Sequence, residues 1–418
     1  MKRTLAGLAV ATTVVALAGT PALAAPAAIT LVPYGIDSSN QAGWWSPLDT
    51  YSPGNEYAYL AFNEPGATAG THKVAIARRD NAGTWTKLPV MNGANQAEYT
   101  DDIGHNQPSI ARDGSGRFHV FASMHNNAWR YFRSDTTGGS PTNHSADLPD
   151  QGTGVTYPVV TTAPNGDLYV IARLDGSGAR SGRLYRWNNA AGTWTRVAIF
   201  ANSANRAVYP DDLQFDSAGN LHILWEWGIY PSSGFRHELS YLLYRPATNT
   251  FVNHAGAAVT VPVSTSTADV IQPLTTGEVY GGDDSTGPAV QSAKLTVDGT
   301  SPKVAYRYRT ATIFTVNYAW IGPGGAWSRD TVYSAGQTTA AIDITWHPTE
   351  GKRIYYTKDS GTDRIFVATM PASTWTHASV APGLPIARFA VERTTGASPV
   401  DVLYLVDLTN LRLYYGRN

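Results

Sequence analysis

Four side chains that could carry out acid–base chemistry lie between residues 101 and 173, each close to an end of an apolar segment. They are two imidazoles, a phenol and a guanidinium, namely His105, His125, Tyr157 and Arg173. Imidazole and phenol groups exchange protons, and a guanidinium binds a carboxylate through two parallel hydrogen bonds. We therefore predict an acid–base site with an anion clamp, provided that the fold brings the four together.

A repeated sequence unit gives the reason to expect that they meet. In each copy a proline begins a short apolar segment, a glycine-containing turn follows, and a second apolar segment ends the unit. The prolines of three copies are Pro108, Pro158 and Pro210, and their spacing of about 50 residues is typical of one propeller blade. Helical periodicity is nearly absent. We predict an all-β fold, a single-domain β-propeller of roughly seven four-stranded blades, in which the last hairpin shares a sheet with the N-terminus.

Equivalent positions in successive blades of a propeller lie side by side around one mouth of the ring. Tyr157 and Tyr209 both directly precede the proline of their unit, and Gln107 takes this position in the earlier copy. His125 and Arg173 both follow the second apolar segment. The repeat therefore predicts a cluster built from at least three blades.

The composition limits the class of protein. The 418 residues contain no cysteine, which excludes thiol catalysis, thiolate metal sites and disulfides. The net charge is −1 with scattered Lys and Arg, so we expect neither nucleic acid nor a membrane as a partner. Twelve Trp and 23 Tyr suit a protein that handles sugars, although aromatic packing in a core would give the same counts.

The first residues have the pattern of an export signal. Lys2 and Arg3 precede an apolar run over residues 5–18, and the small residues around position 24 form a cleavage site. We predict a signal peptide over residues 1–24, a catalytic propeller domain over residues 25–418, and a secreted, extracellular protein.

Each candidate residue also has a purely structural interpretation. A histidine at a strand end is more often solvated or hydrogen-bonded than catalytic, and His119 and His222, in mid-strand, are expected to be structural. The tyrosines before proline could simply pack between blades, and Asp175 could form a local ion pair with Arg173. The coincidence of four reactive residue types at matching positions of the repeat favours the functional interpretation.

The sequence GHNQP at residues 104–108, MHNN at 124–127, and the pair of Tyr157 and Arg173 resemble motifs of BNR-repeat propeller polysaccharide lyases. These include ulvan lyases and rhamnosyl-glucuronate lyases that act on gum arabic. The resemblance implies cleavage of the bond to C4 of a glucuronic acid by β-elimination, giving an unsaturated uronate. We expect an L-rhamnose-α-1,4-D-glucuronate linkage of the arabinogalactan type, with ulvan as the alternative substrate.

The resemblance also implies roles for the candidates. Arg173 is expected to neutralise the uronate carboxylate, His105 and Tyr157 to transfer protons, and His125 to share the base role or to orient the sugar. Which group removes the C5 proton and which protonates O4 stays open, as does endo or exo action. Further sugar contacts are expected from Asn106, Tyr209 and Arg236.

The expected partner is an acidic polysaccharide, bound by a monomer without a catalytic cofactor. Some relatives in this family carry a structural metal held partly by cysteine, which this chain lacks. A structural calcium or zinc ion therefore stays open, with His237 as one candidate ligand, although a solvated or core histidine is more common.

Two functions of other classes compete with the lyase. One is a sialidase-like hydrolase, because the turns at residues 82–85 and 191–194 resemble the aspartate box, which is a structural hairpin. Its carboxylates would have to come from Glu226 and from Asp211 or Asp212. The other is a non-catalytic sugar-binding propeller, in which aromatic residues would recur at every blade.

Overall fold

The structure is a computed structural model that describes residues 27–50, 58–281, 287–309, 313–337, 341–358, 363–370, 373–395 and 399–418. The predicted signal peptide, residues 1–24, lies outside the described residues. Within the described ranges the chain forms 33 strands and one 3₁₀ helix, Ser145–Asp147, as the all-β prediction requires. No helix in these ranges has the length and apolarity needed to cross a membrane.

The strands are numbered in chain order. The first third of the chain contains β1 (Ala28–Gly35), β2 (Leu48–Asp49), β3 (Ala58–Pro65), β4 (Thr71–Arg79), β5 (Trp85–Pro89), β6 (Met91–Asn92), β7 (Asn95–Gln96), β8 (Glu98–Thr100), β9 (Ser109–Arg112), β10 (Phe118–Phe121), β11 (His125–Asn127), β12 (Tyr131–Arg133) and β13 (Thr142–Asn143). The middle contains β14 (Val155–Thr162), β15 (Leu168–Gly176), β16 (Ala179–Asn188), β17 (Thr193–Ala201), β18 (Arg206–Phe215), β19 (Leu221–Ile229), β20 (His237–Arg245), β21 (Thr250–Val252) and β22 (Asp269–Gln272). The last part contains β23 (Ala289–Asp298), β24 (Ser301–Arg309), β25 (Phe314–Ile321), β26 (Trp327–Gln337), β27 (Ile342–His347), β28 (Gly351–Thr357), β29 (Ile365–Thr369), β30 (Thr376–Ser379), β31 (Arg388–Arg393), β32 (Asp401–Asp407) and β33 (Arg412–Arg417).

Most strands pair with their sequence neighbours as antiparallel meanders. The sheet orders are β2-β3-β4-β5, β7-β6-β13-β12-β10-β9, β23-β24-β25-β26, β27-β28-β29-β30 and β1-β33-β32-β31. A ten-stranded sheet contains two further meanders, which begin at β14 and β18 and are linked by one parallel pair between Arg180 and Ala207. None of these sheets closes on itself in the described part of the chain.

The N-terminal strand completes the last sheet. Ala28 pairs with Arg417 and Leu31 with Tyr414, so that β1 lies along β33. This pairing covers an edge that would otherwise expose unpaired N–H and C=O groups. The predicted sharing of a sheet between the two ends of the chain is confirmed.

The first strands of the meanders form a continuous series of contacts. β9 contacts β14, β14 contacts β18, β18 contacts β23, β23 contacts β27, β27 contacts β31, β31 contacts β2, and β2 contacts β9. The series therefore returns to its starting strand. Residues of the same seven strands line a cavity with a volume of about 390 Å³.

Apolar side chains pack between consecutive sheets. One cluster joins Ile76 of β4 with Ile110 of β9 and Val120 of β10. Every residue of β10 is buried, and so are the first seven residues of β15. The sequence explains this, because the segments that form β10 and β15 are nearly continuously apolar, as strands covered on both faces must be.

Acidic side chains of the first strands bond to the backbone of the next first strand. The pairs are Asp212 with the N–H of Leu295 (2.8 Å), Asp343 with that of Val391 (2.7 Å), and Glu392 with that of Thr50 (3.0 Å). Burial raises the pKa of Asp343 to about 7, and it also raises the pKa of Glu392. These carboxyl groups therefore join neighbouring sheets at the centre of the fold.

Candidate active site

Two histidines share one carboxylate in the loop after β8 and at the start of β11. Nδ1 of His105 lies 2.9 Å from Oδ1 of Asp102, and Nδ1 of His125 lies 2.6 Å from Oδ2 of the same residue. The two imidazole rings stack with centroids 3.7 Å apart and planes 9° apart. Their side chains are 27% and 32% exposed, so a molecule from solvent can reach them. Because Asp102 engages both Nδ1 atoms, the Nε2 atoms are left for proton exchange.

The shared carboxylate and partial burial set the protonation of His105. Burial lowers the pKa of His105, and the nearby charges of His125 and Arg173 act in the same direction, against the hydrogen bond that His105 donates to Asp102. Burial would raise the pKa of Asp102, but the hydrogen bonds from both histidines outweigh it and lower that pKa. The arrangement favours an ionised Asp102 that orients a neutral His105.

Tyr157 lies beside the imidazole pair in an unusual backbone conformation. Its φ is 55°, at the bulge of β14 between Thr156 and Val159. An aromatic residue rarely adopts this left-handed region, least of all before a proline, so surrounding packing must hold it. The ring centroid lies 5.7 Å from that of His105 and 5.6 Å from that of Trp45.

Burial also determines the state of this phenol. Tyr157 is 4% exposed. Burial raises its pKa, although Arg236 and Arg173 act in the opposite direction. The hydroxyl therefore carries its proton at neutral pH and can donate it.

A buried guanidinium completes the cluster. The central carbon of Arg173 lies 4.8 Å from the ring centroid of Tyr157 and 4.7 Å from that of Tyr209. Arg173 is 2% exposed, and the described residues provide no hydrogen-bond partner for its Nε and Nη1. Unsatisfied donors on a buried cation are costly unless an anion binds to them. Asp175, the local partner considered from the sequence, pairs with Arg180 at 2.8 Å instead.

The sequence of this chain matches a known family. Residues 57–335 fit the model of the BNR repeat-containing family. The chain belongs to the BNR repeat-containing family. None of the curated proteins is similar enough in sequence to count as a match.

Solved structures share the fold of this BNR-repeat chain. A PL25 ulvan lyase is 16% identical over 91% of this chain and 96% of its own, with a TM-score of 0.67, and a PL25 ulvan lyase has also been solved bound to -[GlcA(1-4)Rha3S]-. The polysaccharide lyase Uly1 is 14% identical over 93% of this chain and 99% of its own, with a TM-score of 0.61. The BP39L lectin from Burkholderia pseudomallei is 12% identical over 87% of this chain and 93% of its own, with a TM-score of 0.54. These likenesses show a propeller-like fold, and with a lectin among them the fold alone does not decide the activity.

All four residues predicted to form the site of this BNR-repeat protein lie in one cluster. The rings of His105 and His125 stack, Tyr157 adjoins His105, and Arg173 adjoins Tyr157. The cluster does not line the central cavity, but Trp45 packs on Tyr157 and also lines that cavity. The geometric part of the prediction, that these side chains meet, therefore holds, and their catalytic roles stay a prediction.

The three residues predicted to contact sugar have protein partners. Asn106 is 2% exposed and accepts a hydrogen bond from the backbone N–H of Asp102. The hydroxyl of Tyr209 accepts a bond from the N–H of Ser233 at 2.9 Å. Arg236 lies 4.0 Å from the ring centroid of Tyr209 and donates to the carbonyl of Gly234 at 2.7 Å. Tyr209 and Arg236 thus extend the aromatic and cationic wall of the site, and contact of all three with sugar stays a prediction.

Sequence reasoning missed Asp102 and the paired tryptophans Trp44 and Trp45. The signal for Asp102 was its position three residues before His105, where a carboxylate can reach the imidazole. The tryptophans come from a segment outside the recognised repeat, and both pack on Tyr157. The side chain of Gln107 contacts the same segment, because it accepts a bond from the N–H of Ala42 at 3.0 Å.

Histidine and carboxylate groups offer ligands for a metal ion at two places among the described residues. In each group the ligand atoms lie within 4.8 Å of one another; the groups are Asp102, His105 and His125, and Asp37, His72 and Asp101. His237, the candidate from the sequence, bonds to Glu278 at 2.7 Å. A structural calcium or zinc ion stays a prediction.

Proposed function

We propose that this protein is a secreted polysaccharide lyase that cleaves the bond to C4 of a glucuronic acid by β-elimination. The observation that carries the proposal is Arg173, a buried cation with unused donors beside a phenol and two imidazoles. A uronate carboxylate bound to this guanidinium would be neutralised, which makes the adjacent C5 hydrogen more acidic.

Elimination needs a base and an acid close together. The C5–H bond breaks as the base takes the proton, its electrons form the C4–C5 double bond, and the C4–O4 bond breaks as O4 receives a proton. We assign the base to His105, because its lowered pKa favours a neutral imidazole. We assign the acid to Tyr157, whose raised pKa keeps its proton available. His125 and Asp102 orient His105, and no cofactor takes part.

The architecture we propose is a single-domain propeller of seven four-stranded blades. The returning series of contacts among the seven first strands supports it, and so does the pairing of β1 with β33, which joins the two ends of the chain. In such a ring the cluster lies on strands and loops of neighbouring blades. We also propose export after removal of residues 1–24 and a monomeric state.

A hydrolase is the less favoured alternative because of where its carboxylates lie. Glu226 and Asp211, the candidates from the sequence, are both 0% exposed. Burial raises the pKa of Glu226 to about 7 and that of Asp211 as well. Carboxyl groups that are fully covered have no open face with which to flank a glycosidic bond.

Assays with gum arabic and with ulvan distinguish the two candidate substrates and also the rival functions. We expect ultraviolet absorbance of the unsaturated uronate to rise with gum arabic, and a rise with ulvan alone would change the substrate but keep the reaction. New reducing ends without absorbance would indicate a hydrolase, and binding without either product would indicate a lectin. Both of these results would overturn the proposal.

Two variants test the assignment of roles in the same assay. His105→Ala and Tyr157→Phe should each lower kcat by roughly 10²- to 10⁴-fold, the usual contribution of a general acid or base. Tyr157→Phe keeps the ring against Trp45, so its thermal midpoint should stay close to that of the wild type. His144→Ala serves as the control, because His144 is a partly exposed histidine that pairs with Asp147 outside the cluster. Full activity in both test variants would remove His105 and Tyr157 from the mechanism.

A further inference from the structure

A second hydrogen-bonded chain, made of Asp101, His72 and Ser123, adjoins the imidazole pair. Nδ1 of His72 lies 2.8 Å from Oδ1 of Asp101, and Nε2 lies 2.6 Å from Oγ of Ser123. With the carboxylate of Asp101 accepting the proton of Nδ1, Nε2 is left as the acceptor for the hydroxyl of Ser123.

The two ends of this hydrogen-bonded series, Asp101 and Ser123, each lie within two residues of a member of the candidate site. Asp101 precedes Asp102, whose carboxylate holds Nδ1 of both stacked imidazoles. Ser123 lies two residues before His125. His72 itself belongs to β4, a regular strand of another sheet. A side chain on a rigid strand therefore connects the loop that carries His105 with the turn that carries His125.

The turn at Ser123 needs such support. Its φ is 54°, a left-handed conformation that is strained for a residue other than glycine and persists only where its surroundings hold it. The hydroxyl of Ser123 is bonded to His72, and its carbonyl accepts a bond from the guanidinium of Arg130. Arg130 in turn lies 4.2 Å from the ring centroid of Tyr99. These contacts determine where the following residues, including His125, begin their strand.

We propose that His72 is a positioning residue that fixes the stacked arrangement of His105 and His125 through Asp101 and Ser123. The inference rests on the proposed function, since the stacked pair is where that function places proton transfer. A displacement of about 1 Å in a reacting group can lower a rate by about a hundredfold. The bonds of His72 hold both rings against such a displacement.

The same three residues have the connectivity of a Ser–His–Asp triad, which would suggest a nucleophilic serine. Ser123 differs from Arg173 in that its polar groups already have protein partners, since its hydroxyl bonds to His72 and its carbonyl to Arg130. Positioning accounts for these bonds, and the nucleophilic alternative is tested below with an ester substrate.

Two variants remove the connection at different points. His72→Asn keeps a donor near Asp101 but loses the acceptor for Ser123, and Ser123→Ala removes only the hydroxyl. We expect kcat on the uronate polymer to fall roughly ten- to a hundredfold in both, with a smaller change in KM. If His72→Asn does not fold, Ser123→Ala still tests the connection.

His222→Asn is the matched control. His222 is also 0% exposed and also bonds to a carboxylate and a hydroxyl, with Nε2 3.4 Å from Asp216 and Nδ1 2.8 Å from the hydroxyl of Tyr241. It has no link to the stacked pair. This variant should lower the thermal midpoint as His72→Asn does but keep the wild-type kcat. An equal loss of kcat in both would overturn a specific role for His72.

A readout without substrate separates this inference from the proposed function. In spectra of protein with labelled histidines, the ring signals of His105 and His125 should change in His72→Asn and Ser123→Ala but not in His222→Asn. Unchanged signals would overturn the inference. Changed signals in a protein that cleaves no uronate polymer would uphold the positioning role and overturn only the proposed lyase activity. Hydrolysis of p-nitrophenyl acetate that disappears in Ser123→Ala would show a nucleophile and overturn the positioning role.

Discussion

Arg173 carries a positive charge into a place where the described residues leave its Nε and Nη1 without an acceptor. Two aromatic faces, those of Tyr157 and Tyr209, partly compensate through cation–π contacts at 4.8 and 4.7 Å. They stabilise the charge and leave its Nε and Nη1 without an acceptor. The guanidinium is thus held in place and still able to receive a carboxylate.

Arg173→Lys tests whether the planar donor pair matters. Lysine keeps the charge but cannot form two parallel bonds, and its pKa falls more readily on burial. We expect kcat/KM on the uronate polymer to fall by about 10²- to 10³-fold, the usual effect of removing one stabilising donor. The thermal midpoint should change little, because Nε and Nη1 of the native guanidinium form no hydrogen bonds that the substitution would remove.

The control for Arg173→Lys is the same substitution at an ordinary ion pair. Arg186 bonds to Asp167 at 2.6 Å outside the cluster, so Arg186→Lys should keep the wild-type kcat/KM. If the two variants behave alike in the absorbance assay, the carboxylate clamp is not at Arg173.

How much of the site the sequence could predict depends on the repeat. Tyr157 and Arg173 could be placed because their units share recognisable prolines and apolar segments. Asp102 was missed because the direction of a carboxylate in a loop depends on backbone turns, so its spacing of three residues from His105 was not enough to predict the contact. His72 was missed for a different reason, since its partners are 29 and 51 residues away in the chain.

At the scale of elements, bulges recur on first strands near the candidate site. β14 shifts register between Thr156 and Val159, and β18 shifts between Pro210 and Asp212. A bulge changes which face the following side chains take. Tyr157 lies within the first shift and Tyr209 just before the second, and their ring centroids are 5.6 Å apart. Alternation of apolar residues could predict the strands but not these irregularities.

Gly228 of β19 lies directly against the ring of Tyr209. A Cβ at this position would stand 2.6 Å from Cε2 of that ring and 3.2 Å from Cβ of Ser233. Gly228→Ala should therefore displace Tyr209 and, with it, the wall that holds Arg173. We expect a loss of kcat/KM of about tenfold or more, since small misplacements weaken oriented groups.

The control for Gly228→Ala is Gly324→Ala. A Cβ at Gly324 would have no neighbour within 4 Å, so this variant should match the wild type in both activity and thermal midpoint. A fully active Gly228→Ala enzyme would mean that Tyr209 does not need its present position for catalysis.

At the scale of the whole molecule, buried carboxyl groups join neighbouring sheets at the centre of the fold, although burial is unfavourable for their charged form. Asp212, Asp343 and Glu392 bond to the backbone of a neighbouring sheet, and burial raises the pKa of each. In the sequence, Asp343 and Glu392 are single acidic residues in mainly apolar segments, and Asp212, which follows Asp211, was considered only as a hydrolase carboxylate. Their burial becomes visible only when the first strands are gathered around one cavity.

The stability of the fold should therefore depend on pH through Asp343. Its folded-state pKa is raised from 3.8 to about 7, so the folded state binds the proton more tightly than the unfolded state. This contribution is fully present below the unfolded pKa and is lost as the pH rises through about 7, at a cost on the order of a few kcal/mol. The thermal midpoint of the wild type should fall between about pH 4 and pH 7, the range that these two pKa values bracket.

Asp343→Asn removes the titrating group and should make that fall shallower. The slope of the midpoint against pH is the measurement, because asparagine also disturbs the bonds to Val391 and Ile344 and so shifts the midpoint at every pH. Asp135→Asn, at a side chain that is 69% exposed, should keep the wild-type slope. Parallel curves of thermal midpoint against pH for Asp343→Asn and the wild type would mean that the carboxyl group of Asp343 is ionised throughout this range. The neighbouring sheets would then be joined by a buried charge.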